Sequence, residues 1–271
     1  MSRSLIPLLA LVLVAPPLSA RAQVPADTIA IQDNSFLMEE AYNQEARVVQ
    51  HISTLVKDPQ SGLWTYTFTQ EWPVRGQRNQ FSYTMPIANQ GSRAQTGIGD
   101  ILLNYRLQVI SPEGSRVAFS PRLSVILPTG RTSRGLGRGS LGAQVNLPVS
   151  FELTRTVVSH TNAGFTWTPR AENPVGGRAS ITEYNAGQSF IWLATPTVNF
   201  MLETVYQTSR QVVAPGRSIE HENVFVSPGI RKAFNFRSGL QIVPGLAIPI
   251  EFGDDKHDPV ALFYLSFEHP F

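Results

Sequence analysis

The sequence predicts an all-β fold: an antiparallel up-and-down transmembrane β-barrel of about 12 strands, preceded by a short N-terminal helix or plug segment. Three observations predict it. Only 15% of the residues are charged while 42% are hydrophobic, against roughly 25% charged in ordinary soluble domains. Apolar residues recur with period two along most of the chain, the mark of strands with two different faces. The connections between these runs alternate long and short, as in a meander whose long loops all lie at one end.

The same composition excludes other classes. A transmembrane helix needs about 20 mostly apolar residues, and only Ser4 to Leu18 approaches such a run, while 20 Gly and 20 Pro are scattered through the chain. The apolar and aromatic content is too high for disorder. No cysteine is present, which excludes a disulfide scaffold and a lipid anchor after a signal sequence.

Residues 1 to 22 read as a cleaved signal peptide. Arg3 gives a basic start, Leu5 to Val14 an apolar core, and Ala20-Arg21-Ala22 a small-x-small cleavage site. Losing this segment removes Arg3 and Arg21 and no acid, so the formal net charge falls from +2 to zero. The basic precursor is thus no argument for a nucleic-acid partner.

Residues 23 to 46 do not alternate and read as a separate N-terminal periplasmic or plug segment, the alternative being a disordered leader. Asn34 to Glu45 reads as a short helix, capped by Asn34 or Ser35, with Glu39 and Glu40 near its positive start. Phe36, Leu37, Glu39, Glu40 and Tyr42 are the residues expected to seat this piece in the mouth of a barrel formed by residues 47 to 271.

The strands follow in order. Residues 47 to 56 fit the first, with uncertain facing. Trp64, Tyr66, Phe68 and Trp72 give the second its greasy face, and Phe81, Tyr83, Met85 and Ile87 the third. Ile101 to Val109 places Leu103, Tyr105 and Leu107 opposite Asn104, Arg106 and Gln108; Val117 to Leu127 places Phe119, Leu123 and Val125 opposite Ser120, Arg122 and Ser124. Leu141 to Glu152 sets Val145, Val149 and Phe151 against Gln144, Asn146, Ser150 and Glu152. Strands also fit residues 157 to 168, 184 to 194, 223 to 233 and 240 to 252, and Phe200 and Leu202 lie opposite Asn199 and Glu203. The last run puts Phe263, Leu265, Phe267 and Phe271 on one side, with Leu262, Tyr264, Ser266 and Glu268 on the other.

Longer connections are expected at 57–63, 88–97, 129–140, 169–183, 208–222 and 253–259, and compact turns at 74–79, 111–116, 154–156, 195–196 and 235–239. An even strand count puts both termini at the short-turn end. Prolines 73, 86, 121, 128, 148, 169, 228, 244 and 249 cannot donate to a sheet ladder, and so mark strand ends, bulges or irregular places.

Several stretches together resemble a known family: Asn34 to Glu45 with Val49-Gln50-His51, the Gly99-Asp100-Ile101-Leu102-Leu103-Asn104-Tyr105-Arg106 run, and Pro121-Arg122-Leu123-Ser124 through Leu127-Pro128-Thr129-Gly130. They are similar to the outer-membrane family labelled after the MetA pathway of phenol degradation, whose members are described as candidate transporters. The resemblance spans nearly the whole mature chain and implies a location in the outer membrane of a Gram-negative bacterium. The terminal Phe271 on an aromatic strand with Phe263, Leu265 and Phe267 looks like the signal by which the barrel-assembly machinery recognises such proteins. A fold and a function remain separable claims.

Weighed for chemistry, the sequence offers no catalytic or metal site. A serine hydrolase needs hydroxyl, histidine and carboxylate converging within hydrogen-bond reach, and Ser159 and Thr161 point away from the face that carries His160 and Asn162. His257 with Asp254, Asp255 and Asp258, and His221 with Glu220 and Glu222, lack a spaced multi-ligand motif and read as solvated turns. No cofactor is called for.

Candidates for the pore lining are Asn104, Arg106, Arg122, Asn146, Glu152, His160, Glu203, Arg231, Glu251, Tyr264 and Glu268. Arg131, Arg134 and Arg138 punctuate a Gly-rich, acid-free loop. They would contact phosphates of outer-leaflet lipid and lipopolysaccharide, fold inward to constrict the pore, or form a merely solvated loop. The function expected is passive diffusion of small, aromatic or weakly polar molecules. The alternative is a plugged structural or surface barrel with functional extracellular loops, and an outer-membrane enzyme ranks last.

Overall fold

The computed structural model describes residues 35–92, 95–252 and 259–271. The signal sequence at 1–22, residues 23–34 with the cap position Asn34, and the Asp254, Asp255, His257, Asp258 group lie outside them.

The described chain is all β, in one antiparallel sheet that closes on itself. In order its segments are β1 (Val48–Lys57), β2 (Trp64–Pro73), β3 (Asn79–Asn89), β4 (Thr96–Ile98), β5 (Ile101–Leu107), β6 (Val117–Phe119), β7 (Arg122–Leu127), β8 (Gly142–Asn146), β9 (Val149–Glu152), β10 (Val157–Glu172), β11 (Arg178–Thr195), β12 (Val198–Ala214), β13 (Arg217–Lys232), β14 (Phe234–Asn235), β15 (Gln241–Ala247), β16 (Ile250–Phe252) and β17 (Ala261–Pro270). Five lapses in the ladder, three of them at prolines and one at Ala233 between β13 and β14, divide 12 strands into 17 segments. The ladder lapses between β6 and β7 at Pro121, between β8 and β9 at Pro148, and between β15 and β16 at Pro249. It lapses between β4 and β5 at Gly99, whose N–H donates to the Pro86 carbonyl at 2.8 Å. Each missing proline N–H removes one rung, and the strand resumes beyond it. Pro169 sits in the register shift between Thr168 and Ala171 of β10.

Closure is made by β1, which pairs with β2 on one side and with β17 on the other, from Val48↔Pro270 to Lys57↔Ala261. No edge is left at this seam, and backbone polar groups are satisfied within the sheet, as a hydrocarbon surrounding demands.

Alternation sorts the two faces. Leu103, Tyr105, Leu123, Val125, Phe165, Phe190, Trp192, Phe200, Leu202 and Phe263 are exposed on the outside. Asn104, Arg106, Ser124, Asn146, Ser150, His160, Glu203 and Ser227 are buried inside. Aromatic pairs ring the lower, short-turn end: Trp72 against Phe81 at 6.0 Å and Trp192 against Phe200 at 5.6 Å. Tyr184 marks the upper rim on the same strand as Trp192. Between those two rings lie about 20 Å of height at ordinary rise and tilt, close to the apolar band of such barrels. Replacing Leu123 by Lys at mid-height should destabilise the bilayer-embedded barrel by about 2–4 kcal/mol. The same change at Val175, in a hairpin tip and 89% exposed, should leave stability unchanged. Denaturant titration in liposomes checks this, and equal effects at the two sites would contradict the lipid-facing assignment.

Two expectations are corrected. Connections expected to be long at 169–183 and 208–222 are mostly strand: β10 and β11 turn over at 173–177, and β12 and β13 at Pro215-Gly216. These strands run for 16 to 18 residues, about 50 Å, whereas a transmembrane strand needs about 9–11. The hairpins therefore stand above the apolar belt. Their inner sides pack Ala171, Ala179, Ile181 and Val212 together, so small and β-branched residues among the polar ones carried the sheet onward. Secondly, residues 35–47 form no helix. Their backbone N–H groups are taken by side chains of the barrel wall instead of by carbonyls one turn back, as described next.

Candidate functional site

The lumen is built from the inward residues of every strand, and the segment from Ser35 to Gln44 runs through it. Its backbone is held by polar wall side chains one after another. Glu203 Oε1 on β12 accepts from the N–H of Leu37 at 2.9 Å and of Met38 at 3.1 Å. Asn162 on β10 accepts from the N–H of Glu39 at 2.9 Å and donates to its carbonyl at 2.7 Å. Ser150 Oγ on β9 accepts from Ala41 N–H at 2.7 Å. Gln108, just past β5, accepts from Asn43 N–H at 2.8 Å and donates to the Ala41 carbonyl at 2.7 Å. Gln80 on β3 accepts from Gln44 N–H at 2.6 Å. A backbone with no helix or ladder of its own must find such partners when buried, and the wall supplies them in the order of the chain.

Side chains of the segment are seated as well. Glu39 Oε1 lies 2.5 Å from Arg122 Nη2 and 3.0 Å from its Nε, and Glu39 Oε2 lies 2.9 Å from Arg106 Nη2. Burial alone would raise its pKa, but the guanidiniums of Arg122 and Arg106 hold the carboxyl at about 2. It is therefore ionised at neutral and mildly acidic pH. Phe36 packs on Tyr264 with ring centroids 5.2 Å apart, within an apolar inner patch of Ile52, Ile191, Met201, Ala247 and Leu262. Space for its ring exists only because two wall positions are glycine. A Cβ on Gly245 would stand 2.5 Å from Phe36 Cζ, and one on Gly229 2.6 Å from its Cε2. Gly245→Val should therefore expel Phe36 at a cost of about 1–3 kcal/mol, and adding Phe36→Ala should recover most of it. A double-mutant cycle read by denaturant titration checks the pair; additive losses would contradict the socket.

Tyr42 sits edge-on to His160 at 5.9 Å, and His160 Nδ1 lies 2.6 Å from Ser150 Oγ. The Ser150 hydroxyl is fully buried and already accepts from Ala41, so it has no face open to a substrate carbonyl. This pair was missed in sequence because Ser150 lies on the neighbouring strand, and only the register His160↔Ser150 joins them.

The remaining candidates are spread over the wall. Asn104 accepts from Arg122 Nη1 at 3.1 Å and donates to Ser82 at 3.1 Å, Asn146 donates to Asn162 at 3.1 Å, and Arg231 lies opposite Asn199 in register. Glu152 stands at the lower end of β9 and Glu268 near that of β17, while Glu251 on β16 is near the upper rim. Glu40 is buried beside the others. Sequence reading did not separate an apolar half of the lumen, from the patch around Phe36, from a polar half on β2 to β10. Inward positions such as Ile191 and Met201 were legible as apolar, but not which distant strands they meet.

At the upper end the Gly-rich loop closes over the wall. Asp100 accepts from the N–H of Gly130 at 2.9 Å and of Arg138 at 2.7 Å. Arg138 then reaches Glu183 on β11 at 2.8 Å and the Arg210 carbonyl on β12 at 2.9 Å. Arg131 precedes the short 3-10 turn Thr132–Arg134, and Arg134 is its last residue. Beside the segment a cavity of about 240 Å³ remains, lined by Glu39, Arg106, Arg122, Phe36, Leu102 and Tyr264 among others. Among the described residues no group of three or more His, Cys, Asp or Glu side chains is placed to hold a metal ion.

A closed 12-strand barrel, apolar without and hydrogen-bonded within, has the architecture of outer-membrane porins and channels. The family described as "Putative MetA-pathway of phenol degradation" matches residues 38–246, and the chain belongs to that family. In fold it is similar to the COG4313 outer membrane channel from Pseudomonas putida F1, with a TM-score of 0.64 at 11% identity over 92% of this chain and 100% of that one. It is also similar to the NanC porin, with a TM-score of 0.54 at 6% identity over 82% of this chain and 100% of that one. No curated protein matches the sequence.

Proposed function

We propose that this chain is an outer-membrane channel that passes small, weakly polar or aromatic molecules by passive diffusion, and that residues 35–44 occlude it. One observation carries the reading: Glu203, Asn162, Ser150, Gln108 and Gln80 of the lumen wall hold the backbone of one extended segment inside the barrel. About eight strands leave an interior filled by side chains, and 16 to 18 an open aqueous channel. Twelve strands leave room for one extended segment and a small cavity beside it, which suits a narrow, gated passage.

The same segment favours a second reading, a barrel plugged for good whose work is done by its upper loops and tall hairpins. Liposome swelling separates the two: the channel admits small neutral solutes, and the plugged barrel admits none in any variant. An enzyme is disfavoured, since the Ser150–His160 pair is sealed by Ala41. In this account the chain is exported through the periplasm, the assembly machinery engages the strand ending at Phe271, and lipid and lipopolysaccharide surround the outer belt. Heat-dependent gel mobility and recovery in the outer-membrane fraction test that placement; a soluble periplasmic product would refute it.

A further inference from the structure

We infer that Arg106 and Arg122 form a carboxylate-binding site in the lumen, and that Glu39 is its built-in occupant, in competition with the carboxylate of an incoming solute. Arg106 and Arg122 are direct cross-strand partners on β5 and β7. Like charges placed opposite each other on a sheet are destabilising, so the pair calls for an anion between them. The wall partners of Arg122 are neutral: Asn104, Gln144 and Ser124. The carboxylate that bridges both guanidiniums comes from the N-terminal segment, with both Glu39 oxygens engaged. Planar bridging of this kind is what arginine offers to any carboxylate.

Two further observations point to a ligand. Arg106 is 3% exposed, and its Nε is buried with no hydrogen-bond partner among the described residues, a donor that Glu39 does not use. The cavity of about 240 Å³ opens directly onto both arginines. Phe36, Leu102 and Tyr264 also line it, together with Thr54, Thr69 and Thr84. Glu71 also lines it, with its Oε2 accepting from Gln80 at 2.7 Å, which keeps the site from being a general anion sink. A small space lined by hydroxyl, aromatic and guanidinium side chains fits a small organic acid with an aromatic or short aliphatic body, below the size of a drug-like ligand.

This inference rests on the channel reading for the route by which such an acid arrives, but its test does not depend on conduction. Benzoate and the neutral benzamide are titrated calorimetrically into the full chain in detergent, comparing the wild type, Glu39→Gln and Glu39→Gln/Arg122→Gln. Heat-dependent gel mobility confirms folding, and the deletion of residues 24–44 serves as a second way to remove Glu39. Glu39→Gln and the deletion should each bind benzoate about tenfold tighter than the wild type, by some 1.4 kcal/mol. Adding Arg122→Gln should abolish the gain, and benzamide should show none. Equal benzoate affinity with and without Glu39, or a gain that survives Arg122→Gln, would overturn the site. A failure of the channel reading shows differently, as benzoate binding intact in a barrel that never conducts.

Discussion

Deleting residues 24 to 44 raises the single-channel conductance of the reconstituted protein on the order of five- to tenfold, because free cross-section limits flow through a narrow lumen, and leaves the barrel folded. The fold is expected to survive because the segment contributes no rung to the ladder. β1 begins at Val48, and closure against β17 runs through backbone pairs from there onward. What the deletion uncovers is a row of wall side chains, Glu203, Asn162, Ser150, Gln108 and Gln80, each now holding a segment N–H. These five are polar and can be rehydrated once water enters; the patch around Phe36 and the Arg106–Arg122 pair also lose their cover, so the emptied barrel is less stable but stays closed through its ladder. Planar-bilayer recordings check the result, with gel mobility as the control for folding. Conductance unchanged by the deletion would show that the segment does not restrict the passage.

Glu39→Ala unseats the segment while leaving its chain in place. Breaking a buried ion pair from one side costs about 3–5 kcal/mol, because the partner charge stays buried and unpaired; here two partners, Arg106 and Arg122, are left. Arg106 cannot reach solvent easily, being 3% exposed. The cheapest relief is for water to enter and the segment to move off the wall. Recordings should show frequent openings to the conductance of the deletion, where the wild type shows few. Glu39→Gln, whose amide oxygen still accepts from one guanidinium while its NH2 cannot, should fall between. A Glu39→Ala protein as silent as the wild type would mean that the backbone bonds alone hold the seat.

Much of the barrel was legible in the residues. Outward runs such as Leu103, Tyr105 and Leu107 against Asn104 and Arg106 state their own facing, because period two leaves no other arrangement for a half-apolar strand. The period-two runs gave the strand count, and its even parity put both termini at one end. What failed was local. Asn34 to Glu45 carries caps and acids suited to a helix, yet its N–H groups found Glu203, Asn162 and Ser150, and partners supplied from strands far along the chain cannot be seen in a window of a dozen residues. The tall hairpins failed for a related reason: polar residues at Thr208 to Glu222 look like loop until the inner packing of Val212 on Ala171, Ala179 and Ile181 is known. The site was legible as a set of inward polar residues and not as an assembly. Nothing in sequence joins Glu39 to Arg106 and Arg122, or shows that Gly229 and Gly245 are spaces for Phe36.

The absence of native cysteine allows the central claim, a passage occluded by its own N-terminal segment, to be tested in one measurement. Ser35 Oγ on the segment lies 3.1 Å from Ser189 Oγ on the inner face of β11, so the double variant Ser35→Cys/Ser189→Cys places two thiols within bridging reach. The measurement is bilayer conductance of the oxidised double variant before and after a reductant is added. The oxidised channel is expected to be locked shut and to open at the wild-type frequency once reduced. An oxidised, cross-linked protein that conducts as freely as the deletion of residues 24–44 would contradict it.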